Sequence, residues 1–230
     1  MILTLSTYAK QNNHTIATIA EASGIAYCPT TQSLVVANDE GAFYELSLEG
    51  EILSKYTLGD YDLEGVVCHD KTFAFAVEDG ALLIVQRDTR QSQYLKLKGK
   101  KFKLSKKSGI EGIAYHKGLY YLSIQAKKKK DAKILVVKIK KNHAKVIDII
   151  SHGIIDAAGL QYVDKTLYIV SDKKDTLYLY SLKKNKVTRK IKLDKFAQEG
   201  ITFAGNHVYF ADDKGTVKKY TLLELGLNAL

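Results

Sequence analysis

The chain has 230 residues, of which 46% are hydrophobic and 26% charged, a balance typical of a globular protein rather than a disordered one. No apolar run approaches the roughly 20 residues that span a bilayer, so we expect no transmembrane helix. The two cysteines, Cys28 and Cys68, have neither the spacing of a zinc site nor that of a disulfide framework. We expect small buried side chains at both positions.

Charge is unevenly distributed along the chain, whose formal net charge is +10. Residues 1–95 hold 5 basic and 13 acidic side chains, whereas residues 96–145 hold 17 and 2. Only three of the 35 basic residues are arginines, the side chain that reads guanine and phosphate with paired hydrogen bonds. The composition therefore disfavours sequence-specific nucleic-acid binding. It predicts no more than a weak, salt-sensitive attraction of residues 96–145 to polyanions.

The N-terminal sequence "MILTLSTYAKQNN" has no basic start and soon turns polar, unlike a signal peptide. It predicts a cytoplasmic protein if Met1 is the native start, and an exported one if a signal segment was trimmed. Two β-rich segments, "MILTLSTYAK" and "TIATIA", lie ahead of the first repeat.

The rest of the chain repeats one short motif five times. Each copy places a glycine near the start of an apolar run: "EASGIAY" at 21–27, "DLEGVVC" at 62–68, "GIEGIAY" at 109–115, "DAAGLQY" at 156–162 and "AQEGITF" at 197–203. The repeated glycines are 41, 47, 47 and 41 residues apart: Gly24, Gly65, Gly112, Gly159 and Gly200. A period of this length is typical of β-propellers, whose blades each hold four antiparallel strands.

Each motif is followed by short runs rich in Val, Ile, Tyr, Phe and Thr, separated by turn residues. Four repeats contain four such runs, and the fifth lacks a clear last one. We therefore predict an all-β, five-bladed β-propeller that spans residues 1–230 as one domain. Its four-stranded antiparallel blades are expected to start near residues 21, 62, 109, 156 and 197. A strand from residues 1–19 is expected to complete the last blade and close the ring, and either N-terminal segment could supply it.

The residue before the repeated glycine is a glutamate in three repeats, namely Glu64, Glu111 and Glu199. Ser23 and Ala158 take that place in the first and fourth repeats. Because the first strand of each blade lines the central channel, the three carboxylates are expected to converge at one channel mouth. A bound cation such as Ca²⁺ would relieve their repulsion, and we predict these glutamates as its ligands. Alternatively, each glutamate accepts backbone N–H bonds from a neighbouring blade and acts as a structural latch.

A second column of polar residues lies at the end of the second strand of each repeat: Asp39, Glu78, Gln125, Asp172 and Asp213. The second strand ends where the first begins, so this column is expected at the same channel mouth. With Ser23 and Asn38 it makes up the predicted ligand-binding set. An Asp at a strand end also commonly caps a turn, and that interpretation stays open.

The ordered motifs resemble the SdiA-regulated family of bacterial β-propellers over residues 1–222. Family members carry Ser, Glu, Glu, a small residue and Glu before the five glycines, as this sequence does at residues 23, 64, 111, 158 and 199. The resemblance implies a propeller of five or six blades, related to NHL-type propellers and to calcium-dependent esterase- or phytase-like propellers. It implies no defined biochemical role. Many members are exported or membrane-anchored, which this N-terminus does not support.

Motifs for the common catalytic machineries are missing from the sequence, including the nucleophile elbow, the P-loop and the H-E-x-x-H zinc motif. The six histidines fall mainly in predicted turns or loops. We therefore predict a monomeric, non-enzymatic propeller that binds a cation, a small ligand or a protein at its acidic mouth. One alternative is a calcium-dependent hydrolase in which the glutamates hold the metal. Another is a scaffold that presents a basic surface to a polyanion or a partner protein.

Overall fold

A computed structural model of the chain describes residues 14–104 and 108–228. These residues form twenty β-strands and two single turns of 3-10 helix, η1 (Lys129–Asp131) and η2 (Asp172–Lys174). The all-β prediction is confirmed. No helix in the described part of the chain is long and apolar enough to cross a membrane.

After a short strand β1 (Thr15–Thr18), the strands follow the repeats in four groups of four and a last group of three, which we call units one to five. Unit one contains β2 (Ala22–Cys28), β3 (Ser33–Asn38), β4 (Ala42–Leu46) and β5 (Ile52–Thr57). Unit two contains β6 (Leu63–His69), β7 (Thr72–Val77), β8 (Ala81–Gln86) and β9 (Ser92–Gly99). Unit three contains β10 (Ile110–His116), β11 (Leu119–Ile124), β12 (Lys133–Lys140) and β13 (His143–Ser151). Unit four contains β14 (Leu160–Val163), β15 (Thr166–Ser171), β16 (Thr176–Ser181) and β17 (Lys186–Lys192), and unit five β18 (Gln198–Ala204), β19 (His207–Asp212) and β20 (Thr216–Thr221).

The units form antiparallel four-stranded sheets, but units two and three share one sheet of eight strands. The two halves join through parallel pairing of β9 with β13, where Leu97 to Gly99 run beside Ala144 to Val146. The prediction of four-stranded antiparallel blades is therefore confirmed in part, because units two and three share one sheet at this junction. Without this pairing, the last strand of each half would be an open edge of its own sheet. Open strand edges pair readily with each other when they meet. Gly99 permits the approach, because its φ is positive and a Cβ there would clash with the carbonyl oxygen of Val146.

The sheet of unit five is completed by the N-terminal strand β1. Thr15 lies opposite Lys218 and Ala17 opposite Val217, so that β1 extends the sheet beyond β20. The predicted closing strand therefore comes from the second N-terminal segment, "TIATIA". The first segment lies outside the described residues. Ile19, which follows β1, is 2% exposed and packs among residues of units one and five.

The hydrophobic core consists of clusters between successive units rather than one central mass. In the described residues, five clusters join units one and two, two and three, three and four, four and five, and finally five and one. The second strand of each unit is buried on both faces because it packs against both neighbours, as in β7. The last strand alternates between exposed and covered residues, as in β17. This cyclic packing is that of a β-propeller-like fold.

A disulfide bond joins Cys28 of β2 to Cys68 of β6, whose Cα atoms are 5.3 Å apart. The spacing of the cysteines did not indicate this bond, and the expectation of a buried side chain holds for Cys28, whereas Cys68 is half-buried. The two cysteines lie 40 residues apart in the sequence, and this spacing by itself does not indicate that they pair. However, the repeat brings the first strands of units one and two side by side, and the two cysteines occupy nearly equivalent positions in them.

Reduction of this disulfide is expected to lower the free energy of unfolding by about 2–4 kcal/mol, because the bond restricts a long loop of the unfolded chain. Chemical denaturation with and without reductant measures the change. A double variant, Cys28→Ala and Cys68→Ala, is the control, and its stability should not respond to reductant. Equal stability of the oxidised and reduced wild-type protein would contradict the prediction.

Deletion of residues 1–19 is expected to lower the melting temperature of the whole protein. The deletion removes β1 and Ile19, exposes β20 as an edge and opens the contact between units five and one. Thermal unfolding followed by circular dichroism tests this. An unchanged melting temperature would rule out ring closure by this strand.

Candidate functional site

Around the axis of the ring, the first strands of neighbouring units touch at the repeated glycines. A Cβ on Gly24 would lie 2.5 Å from the Cα of Gly65, and one on Gly200 would lie 2.7 Å from the backbone nitrogen of Ile25. A Cβ on Gly159 would lie 2.8 Å from the Cα of Gly200. These distances are shorter than any side chain tolerates, so the sequence repeats glycine because backbone approaches backbone here.

The residue before the glycine lies at a break in strand pairing. In β2, β6, β10 and β18, the regular register with the second strand is interrupted at this position. Such a β-bulge leaves one residue unpaired and re-aims its side chain. The residues at these bulges are Ser23, Glu64, Glu111 and Glu199, so the local backbone explains how the glutamates can leave the plane of the sheet and face the channel.

The three glutamates lie close enough together for each to act on the others. Burial raises the pKa of Glu64 to about 10, with further contributions from the charges of Glu111, Asp62 and Glu199. Burial also raises the pKa of Glu199 well above its usual range, and Glu111 is the leading charge that adds to it. For Glu111, which is 8% exposed, burial and the charges of neighbouring carboxylates raise the pKa to about 7. The three side chains therefore act on one another electrostatically, and their convergence around one ligand stays a prediction.

Asp39 of the second column belongs to the same group of carboxylates. Burial is the main cause that raises the pKa of Asp39 to about 7. A hydrogen bond with Glu21, the charge of Glu21 and the charges of Asp62 and Asp213 raise it further. Its Oδ1 is buried and has no hydrogen-bond partner among the described residues. Asp39 and Asp213, which lie far apart in sequence, thus meet at one end of the ring.

Two further residues of the second column face the same group. Burial raises the pKa of Glu78, as do a hydrogen bond and the charge of Asp62. The pKa of Asp172 is also raised, first by burial and then by Asp156 and other aspartates, while Lys214 lowers it. We call these ten carboxylates the acidic mouth: Glu21, Asp39, Asp62, Glu64, Glu78, Glu111, Asp156, Asp172, Glu199 and Asp213.

Three members of the predicted ligand-binding set are engaged in hydrogen bonds within the protein. Asn38 caps a turn, because its Oδ1 accepts a hydrogen bond from the Ala42 N–H at 3.1 Å. Gln125 is held through its backbone, whose N–H donates to Gly109. Ser23 is buried, and its hydroxyl donates to the carbonyl of Leu63 in the next unit. Ser23 is therefore the structural latch at this position.

The glutamates themselves show no such latch. Within residues 14–104 and 108–228, no backbone N–H donates a hydrogen bond to the carboxylate of Glu64, Glu111 or Glu199. None of the three forms an ion pair with a described residue. Their charges are therefore balanced mainly by protonation.

The channel beside the glutamates is narrow. Glu64, Glu199 and the repeated glycines line a space of about 10 Å³, which is room for roughly one water molecule. No group of three acidic, histidine or cysteine side chains in the described residues is arranged as a ready metal cage. A metal ion at this mouth would therefore need the carboxylates to reorient around it.

Sequence reasoning missed three members of the acidic mouth, Glu21, Asp62 and Asp156. Each lies three residues before its repeated glycine, and so each is the first letter of a motif copy. The signal was therefore present as a third column in the same repeat. It was overlooked because the column holds Gly109 and Ala197 in units three and five.

The sequence model of the family described as SdiA-regulated matches residues 2–158, more than half of the chain. The chain belongs to the SdiA-regulated family. No curated protein matches its sequence.

Among solved structures, the SdiA-regulated chain is similar to the glutaminyl cyclase of Myxococcus xanthus, with a TM-score of 0.67. The likeness covers 90% of this chain and 94% of that one, at 11% sequence identity. At this identity the likeness concerns the fold alone. Since 1469 chains of solved structures match, the fold by itself selects no activity.

The free energy of unfolding is expected to fall as the pH rises from about 5 to about 8, because carboxyls of raised pKa bind more protons in the folded state. For Glu111 the window extends from the ordinary value of 4.5 to about 7. Glu111→Gln removes this one titration, so it should reduce the slope of the profile and add about 1–3 kcal/mol at the alkaline end.

Denaturation midpoints measured across this pH range, in the presence of a chelator, test the expectation. Glu51→Gln, the same substitution at an exposed position outside the acidic mouth, is the control and should keep the wild-type profile. If Glu111→Gln instead destabilises the protein equally at every pH, Glu111 is a structural latch.

Proposed function

We propose that this protein is a five-bladed β-propeller that binds a cation or a cationic group of a ligand at its acidic mouth, without catalysing a reaction. The cyclic order of the five clusters supports the five-bladed interpretation, with units two and three as two blades whose outer edges have joined. The N-terminal strand β1 then closes the ring in blade five.

One observation carries the functional proposal: three buried glutamates act on one another electrostatically, and none forms an ion pair with a described residue. Two ionised carboxylates about 4 Å apart would repel by ~1–4 kcal/mol at protein-surface to aqueous dielectric. Protonation avoids this repulsion in the protein alone, and an external cation would allow the carboxylates to ionise without it. Carboxylates, waters and backbone carbonyls are the ligands that Ca²⁺ prefers, so calcium is the first cation to test.

Calcium is expected to raise the melting temperature of the wild-type protein by mass action, because it binds the folded state and not the unfolded one. Binding should also release protons at neutral pH, since the cation displaces them from carboxyls of raised pKa. Titration calorimetry in buffers of different ionisation enthalpy measures both affinity and proton release. Glu111→Gln should abolish the stabilisation, whereas Glu51→Gln should retain it.

A second arm uses arginine methyl ester, which stands for the cationic side chain of a protein partner or an organic cation. Binding of this ester but not calcium would assign the acidic mouth to an organic or peptide cation. If neither probe binds, or if both bind Glu111→Gln as well as the wild type, the proposed function is wrong.

We further propose that the protein works in an oxidising compartment. Of the two locations that the sequence leaves open, this favours an exported protein over a cytoplasmic one. Disulfides persist in such compartments and are rare where thioredoxin and glutathione act, and Cys28 is bonded to Cys68. Thiol labelling of the protein in its native cells tests this. Two free thiols in the isolated protein would contradict an oxidising location.

A further inference from the structure

A second concave site lies between units three and four, apart from the acidic mouth. It has a volume of about 620 Å³, within the range of small-molecule pockets. Its lining combines apolar side chains of both units with four lysines and one histidine, and includes no carboxylate from the described residues. We call it the basic pocket, and its charged or polar members are His152, Lys127, Lys129, Lys174 and Lys190.

His152 is fixed at the edge of unit three by its own backbone and ring. Its N–H donates to the Ala132 carbonyl at 3.3 Å, and its Nδ1 accepts a hydrogen bond from the Ile154 N–H at 3.3 Å. The side chain is 8% exposed, and burial lowers its pKa to about 4. The ring is therefore neutral at physiological pH, and because Nδ1 accepts, its proton lies on Nε2.

The Nε2–H of His152 is a buried donor without a hydrogen bond to any described residue. The backbone of Lys133 favours the protonated ring and so opposes the lowering of the pKa, but no contact of Nε2 with a described residue meets hydrogen-bond geometry. Buried polar groups almost always have a partner, and one without costs stability. A ligand atom that accepts this hydrogen bond would supply the missing partner.

The lysines around the histidine make the basic pocket a cationic environment. Lys127 and Lys129 come from the lysine-rich segment that ends in η1, and Lys174 from η2. No ion pair to these three ammonium groups is formed by the described residues. A buried donor surrounded by unpaired cations favours an acceptor that carries negative charge.

We propose that the basic pocket binds a small organic anion, a carboxylate or a phosphate monoester with an apolar body. One anionic oxygen accepts the hydrogen bond from His152 Nε2, and the lysines of the rim balance its charge. The apolar body packs on the side chains shared by units three and four, such as Tyr178. This site uses none of the carboxylates of the acidic mouth, so anion binding here can be tested independently of cation binding there.

Titration calorimetry with phenyl phosphate and with benzoate tests the proposal on the full chain. At least one probe is expected to bind with a dissociation constant of about 1 mM or tighter. The tighter of the two identifies the anionic group. Binding should also shift the ¹H–¹⁵N signal of the His152 Nε2–H, because that proton gains an acceptor.

The double variant Lys129→Gln and Lys174→Gln should weaken binding by about tenfold or more, since charge-assisted contacts are lost. Lys183→Gln with Lys184→Gln is the matched control, because it removes two exposed lysines of unit four outside the pocket. His152→Phe should also lose binding. If that variant does not fold, the lysine variants and the His152 signal test the proposal without it. Absence of binding by both probes, equal loss in the control, or a His152 signal that does not move would overturn the proposal.

Discussion

The approach of backbone to backbone at the five repeated glycines is the constraint on which the rest of this structure depends. It brings the first strands into a ring so tight that a single Cβ at Gly24 would meet the Cα of Gly65. Because the strands are this close, the channel is nearly filled and Cys28 reaches Cys68. The residue before each glycine then has nowhere to lie within the sheet, and in four units the strand forms a bulge there.

The same closeness explains why the pKa values of the glutamates are raised. Glu64 and Glu199 line the narrow axial space. Burial, followed by the charges of neighbouring carboxylates, raises the pKa of all three glutamates. The serine of unit one shows what a purely structural residue does at this position, since Ser23 donates to the neighbouring Leu63 carbonyl. Glutamates at the equivalent positions make no comparable bond among described residues. Within the part of the chain that the structure describes, they therefore lack the latch contact that Ser23 makes.

Sequence predicted those parts of the structure that repeat and missed those that depend on contacts between different repeats. The glycine period gave the units, and the Glu64, Glu111 and Glu199 column gave the centre of the acidic mouth. The disulfide, the parallel pairing of β9 with β13 and the buried His152 each arise where two units meet. No periodic pattern within one repeat encodes such a contact, and His152 in particular has the sequence surroundings of an ordinary loop residue.

The repeat lengths connect the two proposed sites to the architecture. Glycine spacings of 41 residues give units with short connections, whereas the two spacings of 47 residues hold extra material, at 99–109 and around η1. The second insertion carries Lys127 and Lys129 to the wall of the basic pocket. Insertions in repeat proteins commonly form loops on one face, often the face that binds. The acidic mouth contains residues from all five repeats, so its geometry depends on the arrangement of the whole ring. The basic pocket needs only two neighbouring repeats and one insertion, and its specificity can therefore change without disturbing the axis.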